Sequence, residues 1–257
     1  ETMIAMIEET EQITFAEKQK EAIHAVAQDS IVVLTGGPGT GKTTTINGMI
    51  QYFEHEGLDI RLAAPTGRAA KRMTEATGYE AMTIHRMLEI NGEADRERDM
   101  KKGNASMFER NAGNPLETDV IIIDESSMVD IVLMQALLRA VESGSRIIFV
   151  GDVDQLPSVG AGNVLKDMIR SERLKVVRLQ HVFRQAQESA IIMNAHRINQ
   201  GEEPVLNEEG TDFFFMRRAY ADEVAGTIRE LVTKRLPKFT GCDGLQDMQI
   251  LTPMRKG

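Results

Sequence analysis

The run Gly36-Gly37-Pro38-Gly39-Thr40-Gly41-Lys42-Thr43 constrains this chain more than any other stretch. The apolar segment Ile31-Val32-Val33-Leu34 precedes it, and Ile46, Met49, Ile50 and Phe53 follow at helical spacing with Gly57 as a stop. The order reads as strand, glycine loop, helix. A helix that continues such a loop presents unpaired backbone N–H groups to an anion. The pattern G-x-x-x-x-G-K-[ST] therefore points to a phosphate cradle. In it Lys42 reaches the β- and γ-phosphates and the Thr43 hydroxyl holds Mg²⁺.

Further strands are expected to end at the same edge. Ile60-Arg61-Leu62-Ala63-Ala64 reads as a second strand that delivers Pro65-Thr66-Gly67-Arg68 at its C-terminal end, where open parallel sheets bind ligands. Thr66, the Gly67 N–H and Arg68 either hold a phosphodiester backbone or form an ordinary strand-to-helix turn. Thr83-Ile84-His85-Arg86 opens a short helix. Four β-branched residues in Asp119-Val120-Ile121-Ile122-Ile123-Asp124-Glu125 fit a central parallel strand covered on both faces. An acid pair at its end, in a chain with a phosphate loop, suits a Walker-B site: Asp124 holds Mg²⁺ through water and Glu125 polarises the attacking water. Ser127 and Asp130 are expected to cap a helix whose Leu133, Met134, Leu137, Leu138 and Val141 face inward. Residues 146–151 and 174–179 read as strands leading to Asp152-Val153-Asp154-Gln155 and to Val182-Phe183-Arg184. Arg184 is either a surface ion-pair partner or a cation for the transferring phosphoryl group.

Near the start, Thr14 and Glu17 read as a capping box for a helix to about Ala27. Gln19 on that helix is either a solvated glutamine or a bidentate partner for an adenine edge. Residues 91–118 keep no clear period and read as a projecting insertion, a hairpin, or a disordered linker. Beyond Ser189 a helix carries Ile191, Ile192, Ala195 and Ile198. Strands at 213–216 and 248–252 flank a helix from about Asp222 to Arg235 that Pro237 breaks, as if a second α/β unit were beginning.

Composition narrows the class. A net charge of -9 argues against indiscriminate coating of nucleic acid, yet Arg61, Arg68, Lys71 and Arg72 form a basic island free of acids. The single Cys242 rules out an intrachain disulfide framework and fits a reducing cytoplasm. No apolar run is long enough to span a membrane, so no membrane partner is expected. The start at Glu1, with neither Met nor signal-peptide pattern, leads us to expect a fragment.

The ordered motifs Gly-Gly-Pro-Gly-Thr-Gly-Lys-Thr, Ala-Pro-Thr-Gly-Arg-Ala-Ala, Thr-Ile-His-Arg-Met-Leu, Ile-Ile-Asp-Glu-Ser-Ser-Met, Gly-Asp-Val-Asp-Gln-Leu-Pro, Val-Phe-Arg-Gln and Leu-Thr-Pro-Met-Arg-Lys-Gly resemble those of RecD-type helicases, the superfamily 1 branch that includes the exodeoxyribonuclease V alpha subunit. The resemblance runs from about Ile13 to Gly257. It implies an α/β P-loop NTPase with a RecA-like parallel sheet flanked by helices and part of a second RecA-like domain. Residues 1–185 would form the first motor domain, with a pin-like insertion at about 91–118, and 186–257 the truncated start of the second.

By that resemblance Gln19 contacts adenine, Gly36, Gly37, Pro38, Gly39, Thr40, Gly41, Lys42, Thr43 and Thr44 bind the phosphates of ATP, and Thr43 and Asp124 hold Mg²⁺. Lys42, Glu125, Gln155 and Arg184 carry catalysis. Pro65, Thr66, Arg68, Thr83 and His85 contact DNA. The activity implied is ATP-driven 5′-to-3′ movement on single-stranded DNA by a cytoplasmic monomer, with helicase-nuclease subunits or a single-strand-binding protein as partners. Family members continue past the last motif and supply a second arginine to the ATP site, so weak turnover is expected of this stretch by itself. The alternatives are a vestigial or regulatory ATP-binding, DNA-binding module, a relaxase-linked motor and a small-molecule kinase.

Overall fold

The computed structural model describes residues 2–90 and 107–252. The chain forms two compact units, Glu1–Pro204 and Val205–Gly257. Most of the expected insertion, residues 91–106, and the last motif residues 253–257 lie outside the described residues.

The first unit begins with helices α1 (Thr2–Glu11) and α2 (Glu17–Gln28), followed by β1 (Ile31–Gly36), α3 (Lys42–His55), β2 (Ile60–Ala64), α4 (Gly67–Thr77), β3 (Ala81–Thr83) and α5 (Ile84–Met87). After the insertion come β4 (Val120–Ile123), a 3-10 turn at Ser126–Met128, α6 (Ile131–Ala140), β5 (Arg146–Gly151), α7 (Val164–Arg170), β6 (Lys175–Leu179), α8 (Arg184–Gln187) and α9 (Ala190–Asn199). The six strands form one sheet in the order β3-β2-β4-β5-β1-β6, and every pairing in it is parallel. All strand C-termini therefore open on one edge.

Alternation along the strands explains why the sheet is sandwiched. Val32, Leu34, Ile122, Ile148 and Val150 pack into a core with Ile23, Met49 and Phe53 of α2 and α3. Val33, Ile121, Ile123, Ile147 and Phe149 face the opposite core with Leu133 and Leu137 of α6. Period-2 geometry sends neighbouring residues to opposite faces, and burial of each such side chain contributes about 1.5–3 kcal/mol. The helix after the phosphate loop stops as its glycine suggests: Gly57 has φ +70°, and the Leu58 N–H donates to the Phe53 carbonyl at 3.0 Å.

Several expected details differ. The cap of α2 is Ala16, not Thr14, because Phe15 is drawn into the core; the Phe15 N–H is satisfied by Glu8 Oε1 at 2.8 Å. Asp130 caps α6, accepting from the Leu133 N–H at 2.8 Å, whereas Ser127 lies earlier, in the 3-10 turn. Leu138 is exposed, and so are Ile191 and Ile198 of α9. Helices α8 and α9 pack within the first unit.

In the second unit α10 (Ala221–Glu230) runs through a π turn (Leu231–Arg235) into α11 (Leu236–Thr240). Pro237 does not break this helix: it directly follows the π turn, as the second residue of α11. The expected strands at 213–216 and 248–252 are irregular. A strand needs a hydrogen-bonded neighbour, and no described residue of this unit supplies one; Phe214, Ile250 and Leu251 are exposed.

Candidate nucleotide site

The glycine loop joins the end of β1 to the start of α3, and its carbonyls are engaged by neighbouring donors. Lys42 Nζ donates to the Gly36 and Gly37 carbonyls at 2.6 and 3.0 Å, and Thr40 Oγ1 donates to Gly37 O at 2.8 Å. The Phe183 N–H donates to Gly39 O at 3.1 Å. The Gly41 carbonyl accepts from Gln19 Nε2 at 3.2 Å and from the Thr45 hydroxyl at 2.8 Å. With α3 beginning at Lys42, the N–H groups of Lys42, Thr43 and Thr44 have no partner within the helix. Loop carbonyls already engaged and helix-start amides without a helical partner make an anion cradle. Two loop residues require glycine: Gly39 at φ +74° and Gly41 at φ +82°. A Cβ there would also meet Ala186 Cβ at 2.5 Å or Gln19 Nε2 at 2.6 Å.

A cavity of about 820 Å³ opens over this loop. Lys42, Thr43, Thr44, Asp124, Glu125 and Gln155 line it together, so the loops after β1, β4 and β5 meet at one place. Arg72, Met73 and Thr77 of α4 and Phe183, Gln185 and Ile192 complete the wall. Burial pushes the carboxyl of Asp124 above the usual carboxylate value, opposed by the Glu125 N–H and by the charges of Lys42 and Arg72. The Glu125 carboxyl is also raised, first by burial and then by Asp124. The Glu125 N–H donates to Asp124 Oδ1 at 2.8 Å, and Glu125 has φ +52°. A non-glycine residue held there stores about 1–3 kcal/mol of strain, a feature concentrated at functional sites.

These residues fit a magnesium nucleotide. The cradle offers amides and an ammonium to phosphates, while Asp124 and Thr43 are hard oxygen donors on the same cavity. Mg²⁺ characteristically takes one or two protein oxygens and keeps phosphate and water for the rest.

The remaining expected residues fall as follows. Gln19 is buried rather than solvated: Oε1 accepts from the Ala16 N–H at 2.9 Å while Nε2 holds Gly41, so it ties the start of α2 to the phosphate loop. Arg184, the first residue of α8, is exposed and is not part of the cavity wall. On the neighbouring strands β2 and β3, Thr66 caps α4 and Thr83 caps α5, accepting from Ala69 N–H at 3.2 Å and Arg86 N–H at 3.1 Å. Pro65 and Thr66 are partly buried, Arg68 is exposed, and His85 packs on Phe108 with ring centroids 5.8 Å apart. Helix α4 thus starts beside this polar edge and sends Arg72 to the nucleotide cavity. In the sequence Arg72 stands in the basic island, which does not itself mark its place at the site. Its signal was helical spacing, four residues on from Arg68 and six from the capping Thr66. Phe183, Ala186, Ile192 and His196 were not expected against the loop, and no local pattern marks them.

A parallel sheet with a glycine loop after β1 and an acid pair after β4 defines a P-loop nucleotide-binding fold of the RecA-like type. A family model described as "AAA domain" matches residues 14–213, and the chain belongs to that family. It is similar to the ATP-dependent RecD2 DNA helicase of Deinococcus radiodurans, with 37% identity over 243 residues, 94% of this chain and 30% of that protein. It is 38% identical over 176 residues to the RecBCD enzyme subunit RecD of Mycolicibacterium smegmatis, 60% of this chain and 30% of that protein. The resemblance to RecD-type proteins read from the motifs is thus matched by whole-segment similarity, although the chain spans less than a third of the length of these relatives. Among solved structures, the Pif1 helicase from Candida albicans superposes with a TM-score of 0.54 at 21% identity, covering 86% of this chain and 55% of that one, a likeness of fold.

Proposed function

We propose that this chain is the nucleotide-binding part of an ATP-dependent DNA helicase of the RecD type that moves 5′ to 3′ on single-stranded DNA. The observation that carries the reading is the meeting of Lys42, Thr43, Asp124, Glu125 and Gln155 on one cavity, with the threonine-capped ends of β2 and β3, at Thr66 and Thr83, following β4 on the same sheet. In this reading the loop amides and Lys42 bind the phosphates of ATP. Thr43 and Asp124 hold Mg²⁺, which when bound neutralises charge on the phosphates. Glu125, its carboxyl raised by burial, takes a proton from the attacking water. Gln155 reports on the γ-phosphate, and Arg184 supplies positive charge once its segment turns inward. Pro65, Thr66, Arg68, Thr83 and His85 hold the DNA backbone.

In the same reading, residues 1–185 are the first motor domain, 91–118 its pin-like insertion, and 186–257 the opening of a second. The chain is then a fragment of a longer cytoplasmic protein that acts as a monomer or beside helicase-nuclease subunits. Among the described residues no helix is long and apolar enough to cross a membrane.

The test is unwinding of a duplex with a 5′ or a 3′ single-stranded tail by the longer protein. The reading expects ATP-dependent unwinding of the 5′-tailed substrate, lost in Lys42→Ala. ATP and DNA binding without unwinding would instead support a regulatory module, and unwinding only from a 3′ tail would overturn the polarity.

A further inference from the structure

The phosphate loop stands between two cavities. On its inner side is the nucleotide cavity; on its outer side lies a second, of about 590 Å³, lined by Gly36, Gly37, Pro38 and Thr40 and across from them by Arg178, Asp154 and α9. A loop with open space on both sides and several glycines depends on side chains and neighbouring backbone to hold its shape, because glycine carries the largest backbone entropy of any residue. Helix α9 straddles this loop. Ile192 and His196 are one turn apart and so share a face: Ile192 reaches the nucleotide cavity and His196 the outer one. The His196 ring sits against the loop so closely that a Cβ on Gly37 would lie 2.7 Å from its Cε1, and its Nε2 is 3.0 Å from the Pro38 carbonyl. A carbonyl only accepts, so Nε2 carries the hydrogen. Pro38 has no N–H, so this carbonyl is its own sole hydrogen-bonding backbone group.

We propose that His196 is a positioning residue for the phosphate loop, whose Nε2–H holds the Pro38 carbonyl outward and so keeps the amides of the following residues turned toward the phosphates. This rests on the nucleotide-site reading above. Phe183 and Ala186 support the loop at Gly39 and Gly41, and His196 extends that support to Gly37 and Pro38. The chain from α8 to α9 therefore wraps the loop at three successive points, and the glycines there admit this strap as well as a ligand. Affinity for nucleotide then depends on a histidine outside the cavity in which the nucleotide lies.

The experiment is titration of the chain with N-methylanthraniloyl-ADP and Mg²⁺, followed by fluorescence, for wild type, His196→Ala, His196→Phe and His196→Gln, with circular dichroism as the folding control. Loss of the bond in the Ala and Phe variants is expected to weaken binding about tenfold, equivalent to about 1.4 kcal/mol. Glutamine, whose amide nitrogen can occupy the place of Nε2, is expected to remain within about threefold of wild type. Should the Ala variant fail to fold, the Gln and Phe variants decide. Binding by the Ala variant within about twofold of wild type, or a Gln variant as weak as Phe, overturns the proposal. A wild-type chain that binds no nucleotide overturns the underlying site reading instead.

Discussion

Replacing Gln19 by alanine separates two roles that a glutamine at this position can have. Its side chain is 2% exposed, with Nε2 donating to the Gly41 carbonyl at 3.2 Å and Oε1 accepting from the Ala16 N–H at 2.9 Å. Alanine removes both bonds, each worth about 1 kcal/mol net, and leaves a gap beside the loop, for a total of about 2–3 kcal/mol. At about 2–4 °C per kcal/mol for a unit of this size, the melting temperature should fall by about 5–10 °C. Differential scanning fluorimetry without nucleotide reads this directly. Gln19→Glu keeps the acceptor for Ala16 but points a carboxylate at the Gly41 carbonyl, so it should melt below wild type as well. A glutamine that served only a base edge would weaken nucleotide binding and leave the nucleotide-free protein unchanged. Melting of Gln19→Ala within about 1 °C of wild type, a shift below about half a kcal/mol, would refute the structural role.

Two other perturbations probe the loop and the acid pair. Gly39→Ala places a Cβ at φ +74° and 2.5 Å from Ala186; calorimetric titration should show nucleotide affinity reduced by about tenfold or more. Gly57→Ala, at φ +70° but with open space around it, should lower stability by about 1 kcal/mol and leave that affinity intact. For Asp124 the sign follows from burial. Its folded value lies above the usual 3.8, so the native state holds the proton longer than the unfolded chain does, and stability is lost as pH rises through the folded value. Asp124→Asn removes this penalty. Its melting temperature should match wild type below pH 3.8 and lie above it at neutral pH, with hydrolysis lost. A difference that shrinks as pH rises would contradict the burial argument.

How much of this was legible in the residues depends on whether the deciding contact is local. The four β-branched residues before Asp124, the spacing of Ile46, Met49, Ile50 and Phe53, and the glycines at 39 and 41 each state their own structure, because period and backbone freedom are short-range properties. The edge at which Asp124, Gln155 and Lys42 meet was legible too, since parallel strands leave all their C-termini on one side. Gln19 was not: its burial follows from Phe15 entering the core and from the approach of Gly41, 22 residues away. The start of α2 shifted for the same reason. His196 and Phe183 reach the loop only through the packing of α8 and α9, which no local period encodes. The apolar runs at 213–216 and 248–252 have strand composition, but strand formation is a property of a pair of segments. Leu138 kept the helical period and still faces solvent, because a stripe wide enough for a core includes positions at its margin.

If the cavity around Lys42 and Glu125 couples ATP to DNA, as proposed, hydrolysis there responds to DNA. Steady-state ATP hydrolysis, measured with and without single-stranded DNA on a protein of the relatives' full length that contains this chain, reads that coupling. Single-stranded DNA is expected to stimulate turnover, and Lys42→Ala and Glu125→Gln are each expected to abolish it. Turnover that is indifferent to DNA, or undiminished in Lys42→Ala, would contradict that coupling.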